Sequence, residues 1–453
     1  MRLAFVMFDS LEAYRLSAEN PGGGKVGKTG NNAPSNIAHI AKPKGRNNKG
    51  FGPPFRGNMF TGNAPLPLTG EGQGVRAREV SSGHRRILAS PLSEPSTFIA
   101  MTALEEPLPV LAQYPGEFRP DQVQPLGTAG GFSGALFWRV TAREGPLCLR
   151  RWPLEYPSEE GLSFVHAVLR HVVGQGFNLV PVPLADRQGR TFVRHAGHLW
   201  ELTPWMPGRA DFREDPQPLR LRAAMATLGQ FHQAAATFPG CEPRRGPSPG
   251  IAQRLGMVSR FAQGELEELC RHLAVRPWLE IHDRAWHLMT LARVALDPVR
   301  ELLDRAGHLE VPLQPCIRDV WHDHVLFSGD RVTGLIDFGA MRVESVAADV
   351  ARLLGSMAGD DETLWHVGLD AYNAVRPLTD DERALVNPSD QSGVLLAAIN
   401  WVDWLYREHR QFPDQAAVAR RMDEVLSRLQ TLAASAISLG GSATPLGLWL
   451  PWA

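Results

Sequence analysis

Residues 317–339, IRDVWHDHVLFSGDRVTGLIDFG, form the stretch of sequence that decides the fold. Asp319 stands in a polar loop, and Asp337, eighteen positions later, directly follows the apolar run that ends at Ile336. Apolar residues flank the turn at 328–331, which predicts two short antiparallel strands. A lone Asp in such a segment is usually a turn or capping residue. Two at this spacing favour a functional site to which both carboxylates contribute.

The same stretch resembles the aminoglycoside phosphotransferase and choline kinase family, relatives of the protein kinases. Arg318-Asp319 matches the catalytic-loop motif of that family, and Asp337-Phe338-Gly339 matches the motif that follows its hairpin. The resemblance covers about residues 123–355. It implies an α+β, two-lobed protein-kinase-like fold with a β-rich N-lobe and a mainly helical C-lobe. It also implies that Asp319 is the catalytic base and that Asp337 binds the Mg²⁺ that accompanies ATP.

Two positions depart from the family pattern. His324 stands where the family has an Asn that binds a second metal ion, and Ile317 replaces the usual His of the loop. Imidazole binds metals, but Mg²⁺ strongly prefers oxygen ligands. His324 therefore still serves as a ligand, or a water substitutes for it, or the second ion is lost. A minor alternative is a transition-metal site at His322 and His324, which share a face if the segment is a strand.

The nucleotide site is implied by three segments in the expected chain order. The Gly-rich residues 127–134 are similar to the phosphate-covering loop of the family. Because the chain has no lysine after residue 100, Arg150 takes the place of the phosphate-contacting lysine, although two solvated arginines at a strand end explain the same pair. Residues 201–208 resemble the linker whose backbone binds adenine. The nucleotide-binding residues implied are Gly130, Gly131, Ser133, Arg150, Thr203 and Trp205.

The helical partner that the family supplies to the lysine, a Glu, is not evident, and His166 lies closer to the expected register. The resemblance assigns supporting structural roles to Arg318, Asp349 and His232.

One helical face carries the substrate hypothesis. Aromatic and acidic side chains on that face suit a cationic amine or a choline-like group. An amphipathic core helix explains the same stripe, and we favour that reading. The residues concerned are Trp401, Asp403, Trp404 and Glu408.

The chain changes character near residue 100. All five lysines lie in the first 49 residues, and all twelve tryptophans lie after residue 100. We expect 1–100 to be disordered or not native, 102–206 to be the N-lobe, 207–436 the C-lobe and 437–453 a tail. A basic tail that binds an anionic partner is the alternative for the first segment. The phosphate-loop pattern at 22–29 lacks a preceding strand and a following helix, so we do not expect it to bind phosphate.

Secondary structure follows from periodicity. Strand-like runs at 135–140 and 146–150 flank a turn, and a hairpin is predicted around Gly197. Helical spacing marks four further regions. They are 159–174, 219–238, 278–306 and, in several helices, 346–433.

Composition excludes several classes of protein. Hydrophobic residues make up 43% and charged residues 21%, a globular balance. No apolar run is long enough to span a membrane, and no signal peptide is evident, which predicts a cytoplasmic protein without a membrane partner. Four scattered cysteines without a CxxC pair fit reduced thiols. The +7 charge of the first hundred residues against −8 in the rest forms no nucleic-acid stripe.

The function predicted is therefore an ATP- and Mg²⁺-dependent phosphotransferase that acts on a hydroxyl of an aminoglycoside-, choline- or sugar-like molecule. Ile317, His324 and the missing Glu motivate an alternative, a catalytically impaired kinase-like binding module (a pseudokinase). A weaker alternative is a metal-dependent hydrolase at His322 and His324. The partner is a small-molecule hydroxyl substrate, and the sequence leaves the oligomeric state open.

Overall fold

The structure is a computed structural model that describes residues 107–128, 133–241, 244–275, 281–412 and 414–439. All of these residues belong to one compact unit. The expectations for residues 1–100, the pattern at 22–29, Gly130, Gly131 and most of the tail lie outside the described residues.

The first part of this unit is a five-stranded antiparallel sheet in the order β1-β2-β3-β5-β4. Its core contains Trp138 stacked on Trp200, with ring centres 5.2 Å apart, and the buried side chains of Leu149 and Leu202. A short helix, α1 (Leu108–Leu111), packs on the same core. The strands are β1 (Pro120–Gly127), β2 (Leu136–Ala142), β3 (Gly145–Arg151), β4 (Val193–His195) and β5 (His198–Pro204).

Helix α2 (Glu159–Gly174) interrupts the strands between β3 and β4. It begins where the side chain of Ser158 accepts a hydrogen bond from the Gly161 amide, an N-cap that Ser commonly provides. Its buried positions recur every three or four residues, as the sequence predicted. Leu162 packs beneath the sheet, whereas Val165 and Leu169 belong to the large core of the helical region. This helix therefore connects the two parts of the fold.

The second part of the unit is mainly helical and surrounds that large core. Its helices are α3 (Pro218–Ala235), α4 (Pro249–Arg260), α5 (Leu266–Val275), α6 (His282–Ala306), α7 (Val346–Ala358), α8 (Glu362–Asn373), α9 (Asp380–Val402) and α10 (Gln415–Leu439). None of the helices within the described ranges is both long and apolar enough to cross a bilayer.

Short strands embedded among these helices carry the stretch that opened the sequence analysis. One small sheet has the order β10-β7-β6, and β8 pairs with β9 as the predicted hairpin. His322–His324, however, form a 3₁₀ turn, so the strand on which both histidines would share a face is not present. The strands are β6 (Arg244–Gly246), β7 (Val311–Cys316), β8 (Val325–Ser328), β9 (Arg331–Leu335) and β10 (Arg342–Glu344).

The predicted α+β fold with a β-rich and a helical part is confirmed. The chain passes from one part to the other just after β5. Arg209 and Phe327 exchange backbone hydrogen bonds of 2.9 and 2.8 Å, which fix the linker to β8. Gly208 has φ +100°, and a Cβ there would lie 2.7 Å from the Phe327 carbonyl oxygen. Only glycine meets both requirements without strain.

We expect Gly208→Ala to lower the free energy of unfolding by about 1–3 kcal/mol, because the new methyl group adds strain and a backbone clash. Urea unfolding followed by circular dichroism measures this change. Gly256→Ala is the matched control, since that glycine is exposed in α4 and a Cβ would meet no atom within 4 Å. Equal stability of Gly208→Ala and the parent protein would show that the linker is not held as described.

Candidate active site

A cavity of about 1070 Å³ lies between the sheet and the helical region. Most of its lining comes from β3 and β5 of the sheet, the linker after β5, the turn before β8, the loop after β9, and α10 with the segment that precedes it. Side chains that the argument uses are Arg150, Glu201, Asp337, His322, Arg213 and Arg421. Ligands commonly bind at such junctions.

Arg150 and Asp337 form an ion pair in this cavity, with 3.0 Å between Nη1 and Oδ1. The guanidinium carbon of Arg150 lies 3.4 Å from the centre of the Trp152 ring, which holds the side chain in place. Burial alone lowers the pKa of Arg150, but Asp337 and Glu201 raise it above its ordinary value. Burial would raise the pKa of Asp337, and Arg150 and His324 outweigh it, so that pKa is lowered. Both groups are therefore charged.

Two further nitrogens of Arg150, Nε and Nη2, are buried and have no hydrogen-bond partner among the described residues. Leaving such donors unsatisfied is costly, and the cost is recovered when an anionic ligand accepts from them. Arg150 thus offers two donors to a cavity ligand while it holds Asp337. This is the arrangement of a site for an anion beside a carboxylate.

Glu201 supplies the second acid beside Arg150. It pairs with Arg150 across β3 and β5, and its Oε2 accepts a hydrogen bond of 2.7 Å from Nε2 of His166 on α2. The other His166 nitrogen lies 2.8 Å from the Thr191 hydroxyl. Glu201 thus lies opposite Arg150 on the neighbouring strand and raises the pKa of Arg150 through its charge, while its carboxylate binds His166.

The loop that carries Asp337 is held in a strained conformation. Asp337 has φ +63°, a left-handed conformation that side chains other than glycine rarely adopt. At Gly339, a Cβ would lie 2.7 Å from the Trp152 ring, so glycine lets the loop approach that indole. Strain of this kind is common where a site must be preorganised.

Asp349, at the start of α7, braces the loop that carries Asp319. Its two carboxylate oxygens accept hydrogen bonds of 2.7 and 2.6 Å from the backbone amides of Ile317 and Arg318. His232 donates to the same carboxylate at 3.0 Å and accepts from Tyr372 at 2.7 Å. Arg318, at φ +67°, needs this support, and it donates to Gln253. The three residues to which the resemblance assigned supporting roles are thus in one network.

Asp319 itself is covered. Its Oδ1 accepts a hydrogen bond of 3.1 Å from Arg352 on α7, and it is not among the residues that line the cavity. The expectation that both carboxylates face one ligand in the cleft is therefore met by Asp337 alone in this conformation. The sequence did not single out Arg352, which is partly exposed.

His324 contacts the backbone of Asp319 and lies near the carboxylate of Asp337. Its Nδ1–H donates to the backbone carbonyl of Asp319 at 2.7 Å, and its Nε2 accepts from the Trp321 indole at 2.9 Å. Nε2 is 3.8 Å from Oδ2 of Asp337. Burial lowers the pKa of His324 to about 4, so the ring is neutral at neutral pH.

These contacts test the fit of a metal ion. Oδ2 of Asp337 is a suitable Mg²⁺ ligand, and Mg²⁺ is often held by one carboxylate together with phosphate oxygens and waters. Both nitrogens of His324 are already hydrogen-bonded, so the imidazole fits a positioning role better than the ligand role predicted for it.

His322 points elsewhere. Its Nε2 lies 3.3 Å from Asp323, and its Nδ1 is buried with no hydrogen-bond partner among the described residues. Burial, followed by Arg213 and Arg421, lowers the pKa of His322 well below its ordinary value. His322 and His324 contact different partners, and among the described residues they are not in the group of side chains that lie close enough to share a metal ion.

Within the described ranges, one group of His, Cys and acidic side chains lies close enough to share a metal ion: His232, Cys316 and Asp349. The Asp349 carboxylate already accepts the hydrogen bonds that brace the loop, and the Cys316 thiol donates to the carbonyl of Glu344. This group is therefore structural.

The predicted substrate residues lie at the end of α9 and just after it, and they do not line the cavity. Trp401 is fully buried and Trp404 is 7% exposed, and both belong to the large core, which agrees with the core alternative. The two tryptophans contact residues that do line the cavity. Trp401 packs against Phe412, and Arg410 lies over Trp404; Phe412 and Arg410 are both lining residues. Asp403 and Glu408 are paired with Arg407 and Arg410.

Two further predicted nucleotide-binding residues line the cavity together with Arg150, and one does not. Thr203 and Trp205 line it, although the Trp205 amide donates to the Pro146 carbonyl and is not available to a base. Ser133 is buried and does not line it; its hydroxyl accepts from the Ala135 amide and its carbonyl accepts from the Tyr156 hydroxyl.

Comparisons with known proteins are consistent with this geometry. Residues 126–386 match the model of a family described as the phosphotransferase enzyme family. A homoserine kinase from Beijerinckia indica is 26% identical over 254 residues, which cover 54% of this chain and 71% of that protein. A homoserine kinase from Polaromonas naphthalenivorans is 24% identical over 303 residues, covering 66% and 85%.

Two solved structures are similar in fold. An aminoglycoside phosphotransferase from Alicyclobacillus acidocaldarius has a TM-score of 0.51 at 17% identity, covering 78% of this chain and 97% of that one. A spectinomycin phosphotransferase, solved with ADP and spectinomycin, has a TM-score of 0.53 at 10% identity, covering 76% and 99%.

Acid is expected to destabilise the folded chain through its buried histidines. His324, with a folded pKa of about 4, stays neutral where an unfolded His gains a proton near pH 6.5, so the unfolded state binds more protons between these values. The free energy of unfolding therefore falls as the pH is lowered from about 6.5 towards 4. The pKa values of His232 and His322 are shifted in the same direction, chiefly by burial.

Urea unfolding of the parent protein and of His324→Asn at pH 7 and pH 5 measures this dependence. The variant is expected to lose less stability over that interval, because one of the buried histidines is gone. His287→Asn, at an exposed position of α6, is the control and should behave as the parent protein does. An identical pH dependence in all three proteins would contradict the assignment.

Proposed function

The chain belongs to the phosphotransferase enzyme family, and we propose that it transfers the γ-phosphate of ATP to a hydroxyl group of a small molecule. It is a small-molecule kinase, as the family resemblance in the sequence implied. The observation that carries the ATP assignment is the buried Arg150–Asp337 pair, which presents two unsatisfied guanidinium donors and one carboxylate oxygen to the cavity. Anionic phosphates and a divalent cation complement these groups.

Different residues around Arg150 bind different parts of the nucleotide. Nε and Nη2 of Arg150 donate to phosphate oxygens, and Asp337 and Trp152 keep the guanidinium in place. Oδ2 of Asp337 holds Mg²⁺, which neutralises phosphate charge when it is bound. The neighbouring residues Thr203 and Trp205 line the space for the base. Gly130 and Gly131 remain predictions for phosphate contact.

Asp319 is the proposed base. It takes the proton of the acceptor hydroxyl as the acceptor oxygen bonds to the γ-phosphorus; the bond to the bridging oxygen breaks, and ADP leaves with that electron pair. Arg352 must release Oδ1 for this step, and its partly exposed side chain has room to move. His324 fixes the Asp319 backbone through the carbonyl that it contacts. Asp349 keeps the preceding amides in place.

A second candidate, a kinase-like module that binds nucleotide without turnover, is favoured by one observation. Asp319 is paired with Arg352 and does not line the cavity. Consumption of ATP in the presence of amino alcohols, sugars and aminoglycosides distinguishes the two candidates, since the binding module consumes none.

The relatives named homoserine kinase support a metabolite-sized acceptor.

Asp319→Asn is expected to lower kcat by about 100-fold or more, because the acceptor hydroxyl loses its base. Nucleotide affinity should change little, since Asp319 is not among the residues that line the cavity. A coupled ADP assay and calorimetry with an ATP analogue measure the two quantities. Asp330→Asn, in the exposed turn between β8 and β9, is the control. Full turnover in purified Asp319→Asn would exclude the base role.

A further inference from the structure

An arginine cluster, by which we mean Arg213, Arg352 and Arg421, contributes two of its members to the cavity lining. The guanidinium carbons of Arg421 and Arg352 lie 4.2 and 5.8 Å from the centre of the Trp321 ring. Arg213 and Arg421 line the cavity, and both are paired with the same carboxylate, that of Glu424. One acid is thus shared between two cations.

The arginines of this cluster repel one another. Burial, followed by repulsion from Arg213 and Arg352, lowers the pKa of Arg421 well below its ordinary value, even though Asp323 and Asp319 also face it and act in the opposite direction. Like charges that are gathered in a buried place are stabilised when an anion joins them. A cationic ligand, by contrast, would add to the repulsion.

A hydrogen-bond acceptor stands beside the cluster. Nδ1 of His322 is buried, lies in a side chain that lines the cavity, and has no partner among the described residues. With Nε2 directed at Asp323, this nitrogen is free to accept from an O–H or N–H group of a ligand. An anion-binding group and an acceptor therefore adjoin each other.

The position of the cluster relates it to the reaction. Arg352 bonds to Asp319, so the cluster lies next to the proposed base. Arg421 and Glu424 belong to α10, which follows the residues 126–386 that match the family. Arg421 and Glu424 thus lie outside the matched region, whereas Arg213, Arg352 and His322 lie within it.

We propose that the part of the cavity lined by Arg213 and Arg421 binds the phosphate acceptor. The acceptor is a small alcohol that bears an oxyanion, either a carboxylate or a phosphate, and these two arginines hold that oxyanion. A hydroxyl or amino group of the same molecule donates to Nδ1 of His322. The inference rests on the proposed function, since it names the substrate class of the same site. It replaces the cationic acceptor that the aromatic and acidic stripe at 401–408 suggested.

The test compares acceptors that differ only in the oxyanion. L-Homoserine is compared with 3-aminopropan-1-ol, which lacks the carboxylate, and glucose 6-phosphate with glucose. At least one member that bears the oxyanion is expected to have a kcat/KM at least tenfold above that of the counterpart without it. The two pairs distinguish a carboxylate from a phosphate. Equal or better use of both members without an oxyanion would overturn the proposal and leave the kinase function standing.

Arg421→Met is expected to reduce that preference at least tenfold, because one of the two cations that hold the oxyanion is lost. Arg428→Met is the matched control, because Arg428 lies on the same helix, pairs with Asp390 and Asp360, and does not line the cavity. It should keep the preference. If Arg421→Met does not fold, as judged by circular dichroism, the half-exposed Arg213→Gln takes its place. An unchanged preference in the folded variant contradicts the proposal.

Calorimetric titration of each acceptor into nucleotide-free protein separates this inference from the proposed function. Tighter binding of the member that bears the oxyanion, lost in the Arg421 or Arg213 variant, supports the anion site even if no acceptor is phosphorylated. In that case the absence of both turnover and nucleotide binding would count against the kinase function alone. Equal binding of the members with and without the oxyanion, with no difference in turnover, would overturn the inference.

Discussion

The buried ion pair between Arg150 and Asp337 is the interaction on which the rest of the site depends. It joins the sheet to the loop after the β8–β9 hairpin, so it fixes the two walls of the cavity relative to each other. Burying two charges is expensive unless further hydrogen bonds complete the arrangement. The Trp152 ring packs against the guanidinium and the charge of Glu201 favours it, and the two remaining donors of Arg150 are left for a ligand.

A second constraint acts on the backbone rather than on side chains. Arg318 and Asp337 both have positive φ, and each lies at the end of a short strand where the chain turns towards the cavity. Asp349 holds the first turn by accepting from two backbone amides, and the approach of Gly339 to Trp152 defines the second. Charge-assisted hydrogen bonds of this kind are strong enough to hold a strained loop. The Asp337 side chain and the backbone before Asp319 are thus positioned before any substrate arrives, whereas the Asp319 carboxylate is held by Arg352.

Local patterns in the sequence predicted the parts of this structure that depend on neighbours along the chain. The strands around 143–145, the helix Glu159–Gly174 and the hairpin between the two Asp residues are such parts, and each is present. Three features could not be predicted in that way. The pairing of Glu201 with Arg150 depends on strand register, the Arg352–Asp319 contact on the packing of α7, and the arginine cluster on where α10 returns. The tryptophans at 401 and 404 show the converse, since a core helix and a binding face share one periodicity.

The most direct test of the account is the affinity of a non-hydrolysable ATP analogue with Mg²⁺ for three proteins: the parent, Arg150→Met and Arg151→Met. Arg151 is the adjacent residue of β3, and it does not line the cavity. Calorimetry should show at least tenfold weaker binding for Arg150→Met, because two phosphate donors and the partner of Asp337 are lost, and near-parent binding for Arg151→Met. Parent-like affinity in folded Arg150→Met would contradict the claim that this ion pair forms the nucleotide site.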